Sequence, residues 1–138
     1  MNTNKNKENQ TMKQTDAEAI KKGQEALKEL KVKRGGSILP FHKQMANDPL
    51  LLSAFSSMYD YCNKEMKHIP KKYRELIIFA VGCAKNAPTT IEVHAKGAID
   101  SGATIDELGE VLRIVLFLTG VTGMHPGLSV LDQIDSDL

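Results

Sequence analysis

Two stretches constrain the fold of this chain more than any other feature. Residues 76–81 are apolar on every side of a helix, and residues 111–121 carry a single charge, Arg113. A helix that is apolar all round must be covered on more than one side. The chain has 138 residues, room for one domain that buries about two-thirds of its unfolded surface. The pattern predicts an all-α domain in which one of these helices completes its burial against another copy of the chain. Cover by the N-terminal helix and the last helix is the alternative.

Helix punctuation divides the rest. Residues 1–14 are rich in Asn, Lys and Gln. They hold too little apolar surface to offset the entropy of ordering, which predicts a disordered polar tail ahead of a domain at 15–138. Thr15 with Glu18 reads as a capping box, and Ile20, Leu27 and Leu30 form the stripe of a first helix that stops at Gly35-Gly36. Asp48-Pro49 opens a second helix through Leu51, Leu52, Phe55, Met58 and Tyr59. Ile69-Pro70 opens a third, to about Lys85. Asn86-Ala87-Pro88 breaks it and starts a fourth, which ends at Ser101-Gly102. Thr104 with Glu107 caps a fifth, and a short last helix follows His125-Pro126. No strand alternation and no internal repeat is visible, so five or six helices are expected.

Charge and motifs exclude several functions. Lys and Arg number 18 against 17 Asp and Glu, a balance that offers nothing to nucleic acid. No run approaches the roughly 18 apolar residues of a membrane span, and no leader is visible, so a cytoplasmic location is expected. Cys62 and Cys83 form no CxxC and are expected to be reduced core thiols. His42, His68 and His125 lack metal-ligand spacing, so no metal site and no cofactor is assigned. GxGxxG, Walker and GxSxG motifs are absent. The methionines at 45, 58, 66 and 124 are expected to be core or interface filler.

Two residues invite chemistry. Glu75 enters an apolar helix, where a carboxylate must be paired, hydrogen-bonded or raised in pKa. Gly82, seven residues on, shares its face and is expected to leave space beside it. An ordinary ion pair with a nearby Lys or Arg is the alternative. His94 lies mid-helix among Ile91, Ala95 and Ala98, suited to moving protons near neutral pH. A half-buried structural histidine is the alternative there. Across the break the two residues are offset by roughly 6 Å along the helix axes, so they can converge or face apart. Glu92 points to a different face from His94.

Taken in order, these residues resemble a known family. The segment 69–81 (IPKKYRELIIFAV), then His94, then Gly102-Ala103-Thr104 with Asp106-Glu107-Leu108, is similar to the signature of the carboxymuconolactone decarboxylase and alkylhydroperoxidase D superfamily. The upstream Asp48-Pro49, Phe55 and Tyr59 fit the same layout. The redox branch carries a glutamate, a CxxC and a histidine four residues beyond the second cysteine. Here Glu75 and His94 match, while the cysteine positions hold Ala87 and Thr90. Neither can run a dithiol exchange, which needs an attacking and a resolving thiol. Cys83 lies one turn before Ala87, where burial should make it inert.

The resemblance implies an all-helical, oligomeric fold, a trimer or hexamer. It implies a non-redox activity, decarboxylating or isomerising a small carboxylated lactone-like substrate. Glu75 and His94 would be the acid and base, with Arg74 and Arg113 as candidates for binding the substrate carboxylates. A catalytically silent ligand-binding or structural oligomer is the first alternative. A peroxiredoxin-like thiol enzyme using Cys83 is the second.

Overall fold

The computed structural model describes residues 14–137, which form seven α-helices and no strand. The segment expected to be a polar tail lies outside the described residues except for Gln14. That residue is tied down: its backbone N–H donates to Asn47 Oδ1 and its side-chain amide to the Asn47 carbonyl. Contacts divide the chain into two compact units, 1–65 and 66–138.

The first unit holds α1 (Ala17–Lys33), α2 (Pro40–Met45) and α3 (Pro49–Asn63). Asp16, not Thr15, caps α1, accepting from the Ala19 N–H at 2.7 Å. A carboxylate outcompetes a neighbouring hydroxyl there because it also meets the positive end of the helix dipole. The helix ends where Gly35 and Gly36 take positive φ. Asp48 caps α3 with Pro49 in its first turn, as the sequence predicts. Lys33 joins α1 to α3, reaching Ser56 Oγ at 2.9 Å and Asp60 Oδ2 at 2.6 Å.

Helix α2 was not expected. Its six residues are too few for a periodic pattern, but Pro40 in its first turn presets the backbone. It fully buries His42 beside the rings of Phe41 and Phe55. The Leu39 N–H donates to His42 Nδ1 at 3.0 Å. Burial, with the nearby Arg34 charge, lowers the His42 pKa to about 4, so the ring is neutral at pH 7.

The second unit holds α4 (Lys71–Ala84), α5 (Pro88–Asp100), α6 (Ile105–Thr119) and α7 (Val121–Asp137). Its core is Leu76, Phe79 and Cys83 from α4, Ile91, Ala95 and Ala98 from α5, Leu108, Leu112 and Val115 from α6, and Leu131 from α7. The capping box of α6 is as predicted: Glu107 N–H donates to Thr104 Oγ1, and Thr104 N–H to Glu107 Oε2. Glu107 Oε1 also receives Lys72 at 2.8 Å, linking α6 to α4.

The last helix starts before Pro126 rather than after it. Pro126 sits inside α7, and its missing N–H removes only one bond of the first turns. Tertiary packing carries the helix through. A Cβ on Gly127 would stand 2.5 Å from Leu112 Cδ2 and 2.7 Å from Cys83 Sγ, so this glycine lets α7 settle directly on α4 and α6.

Neither apolar helix is covered all round. Helix α4 exposes Tyr73, Ile77 and Val81 in one stripe, and α6 exposes Ile114, Phe117 and Leu118, Phe117 at 87%. Among the described residues no helix is long and apolar enough to cross a membrane.

Candidate acid–base site

Helices α4 and α5 form an antiparallel hairpin whose tight turn puts Asn86 at φ 50°. Residues before and after such a turn face each other across the pair. Glu75 lies on the inner face of α4, one turn before Phe79, and His94 on α5, beside buried Ala95. Their side chains meet directly: Glu75 Oε2 and His94 Nδ1 are 2.6 Å apart. The axial offset left open by the sequence is therefore spanned without a water.

Glu75 is buried, its side chain 8% exposed, whereas His94 is 25% exposed. The pair thus has a closed end and an open end. Burial raises the Glu75 pKa, but the hydrogen bond from His94 and the positive charges of His94, Arg74 and Lys71 outweigh it and hold the carboxyl below its ordinary range. An ionised carboxylate only accepts, so the proton between them sits on Nδ1. In neutral imidazole that leaves Nε2 with its lone pair, and Nε2 makes no hydrogen bond to the described residues.

Arg74 lies 3.6 Å from the other carboxylate oxygen, Oε1, and its side chain is 11% exposed. The ion-pair alternative and the Glu75–His94 contact therefore coexist, and Arg74 is engaged with Glu75. Arg113 lies elsewhere. It lines a groove of about 580 Å³ between α6 and α7 with Ile105, Leu128 and the carboxylates of Asp106, Glu110, Asp132 and Asp135. The structure brings Glu75, His94 and Arg74 together and leaves Arg113 out.

The glycine expectation also changes. A Cβ on Gly82 would meet Thr90 Cγ2 at 3.0 Å and Ile91 N at 3.3 Å, so Gly82 seats the start of α5. The glycine beside the carboxylate is Gly97, three residues after His94, which sequence reasoning missed. A mid-helix glycine on the histidine's face was the available signal. Cys83 is fully buried and its thiol is pushed up to about 11 by burial, while Cys62 is exposed rather than in the core. Among the described residues no three His, Cys, Asp or Glu side chains group as metal ligands would.

Residues 49–133 match the model of the Carboxymuconolactone decarboxylase family. The chain belongs to this family. The match takes in α3 through most of α7, and with them Glu75 and His94. The structure is also similar to a crystal structure from Burkholderia xenovorans LB400, a protein provisionally assigned as a carboxymuconolactone decarboxylase. The two share 21% identity with a TM-score of 0.74, over 83% of this chain and 95% of that one, a likeness of fold. No curated protein matches the sequence. The chain has no CxxC motif; its two cysteines are Cys62 and Cys83.

The lowered Glu75 pKa has a defined effect on stability. A carboxyl depressed in the folded state stabilises the fold above its unfolded pKa, and that stabilisation is lost as pH falls through the folded value. Urea unfolding midpoints of the native protein should therefore fall as pH drops below about 4.5. The Glu75→Gln variant should lose less over that window. Equal losses in both proteins would mean that the Glu75 pKa is the same folded and unfolded.

Proposed function

We propose that this family member is a non-redox acid–base enzyme, decarboxylating or isomerising a small carboxylated lactone-like substrate. The observation that carries the reading is the 2.6 Å contact that holds His94 Nδ1 on an ionised, buried carboxylate while the imidazole side chain is 25% exposed. Orientation by a carboxylate sets the tautomer of the ring and fixes where its second nitrogen points. Nε2 is then the working atom. As imidazole it removes a proton from substrate carbon. As imidazolium it supplies one.

In a decarboxylation, the C–C bond to the carboxylate breaks and its electron pair passes into the lactone's conjugated system as a dienolate. CO2 leaves, and the Nε2 proton is delivered to carbon. Nε2 first takes that proton from solvent; the resulting imidazolium is stabilised by Glu75, which stays ionised throughout, and delivery to carbon returns the ring to neutral imidazole. Nothing in this sequence needs a thiol, and the buried Cys83, held as a neutral thiol, is a poor nucleophile.

A second reading, a silent binding or structural oligomer, is favoured by the arginines. Arg74 is engaged by Glu75, and Arg113 sits among four carboxylates, so neither is poised as an anion clamp. We also propose that the protein works as a homo-oligomer, a trimer or a multiple of it. The exposed stripes of α4 and α6 support a second copy as their cover.

Turnover of a carboxylated muconolactone, followed by CO2 release or by absorbance, should fall by about 10²–10⁴ in both His94→Gln and Glu75→Gln with the fold retained. No turnover in the native protein across a panel of such lactone acids would leave the silent reading ahead. Light scattering at micromolar concentration should return a multiple of the 15.2 kDa chain mass. A monomer mass would end the oligomer proposal.

A further inference from the structure

We propose that Gly97 is the positioning residue that seats the Glu75 carboxylate against His94. The inference deepens the acid–base reading of the same site. Gly97 lies in α5, three residues after His94, so the two share a face of the helix. The Glu75 carboxylate occupies the space that a side chain at 97 would take. An ideal Cβ there would stand 2.7 Å from Oε2 and 3.2 Å from Cδ, well inside the 3.4 Å at which ordinary contact begins. Oε2 is the oxygen bonded to His94 Nδ1. One atom therefore has two neighbours, and the glycine is what lets it keep the second.

The helix itself does not call for this residue. Glycine within a helix is less favourable than alanine, and Gly97 has no positive φ that would require it. Two other glycines of the unit serve packing: a methyl at Gly82 would press on the Ile91 backbone, and one at Gly127 on Leu112 and Cys83 in the core. At Gly97 the atoms in the way are the far end of a side chain. The protein can accept a methyl there by moving the carboxylate, so the cost falls on the pair and not on the fold. Arg74 at Oε1 limits where the carboxylate can go, and any retreat of Oε2 from the methyl lengthens or tilts its bond to His94.

The Gly97→Ala variant tests this by long-range proton–nitrogen NMR of the histidine side chains, at a pH where the imidazole is neutral. In the native protein His94 should show a protonated Nδ1 and a bare Nε2. In the variant that single tautomer should be lost and Nε2–H should appear, while the thermal midpoint holds or rises. Retention of the pure Nδ1–H tautomer in Gly97→Ala would overturn the proposal. If the variant loses stability, the same substitution in a Glu75→Ala background decides the cause. The penalty should vanish where no carboxylate meets the methyl, and an equal penalty would make Gly97 a packing residue. These readouts use no substrate, so an inactive native protein would sink the acid–base reading and leave this test standing.

Discussion

A carboxylate inside an apolar helix is the constraint around which the second unit is arranged. Burying an unpaired charge is costly, and a protein escapes by protonating the group or by surrounding it with donors and positive charge. Here the second solution is built. Arg74 takes one oxygen, His94 the other, and Lys71 adds charge from the start of the same helix. The histidine's place depends on features of the hairpin. The tight turn at Asn86 returns α5 beside α4, Gly82 lets the start of α5 come close, and Gly97 leaves the carboxylate a place to lie. Glu75 is thus paired on both oxygens while its partner histidine keeps a face toward solvent.

That asymmetry separates the pair from an ordinary buried ion pair. A pair meant only for stability gains nothing from leaving one member partly open, and a buried pair is in any case weak evidence for stability. An imidazole held by a buried anion and itself a quarter exposed is the arrangement on which the proposed proton transfer rests. The chain carries no CxxC pair, and Cys83 is fully buried, packed against Gly127 of α7.

Local chemistry was legible in the sequence, and tertiary chemistry was not. Thr104 with Glu107, and Asp48 with Pro49, mark helix starts because their bonds close within four residues. Asp16 displaced Thr15 because two adjacent capping candidates differ only in charge. Helix α2 was too short to show a period. Helix α7 runs through Pro126 because Gly127 packs on residues of α4 and α6, far away in sequence. At the site, residue types and family register singled out Glu75 and His94, but rotation about two helix axes decided whether they met. The same rotation made Gly97, not Gly82, the glycine beside the carboxylate. Arg113 has the charge a substrate carboxylate calls for, but charge does not say which surface a helix turns outward.

In the proposed site the Glu75 carboxylate holds a proton on His94 Nδ1 and leaves Nε2 for chemistry. The most direct test is the proton spectrum of the native protein labelled with nitrogen-15 in histidine. A strongly deshielded, slowly exchanging proton coupled to His94 Nδ1 should be present in the native protein and absent from both Glu75→Gln and His94→Gln. A His94 ring that carries its proton on Nε2 with Nδ1 bare would contradict it.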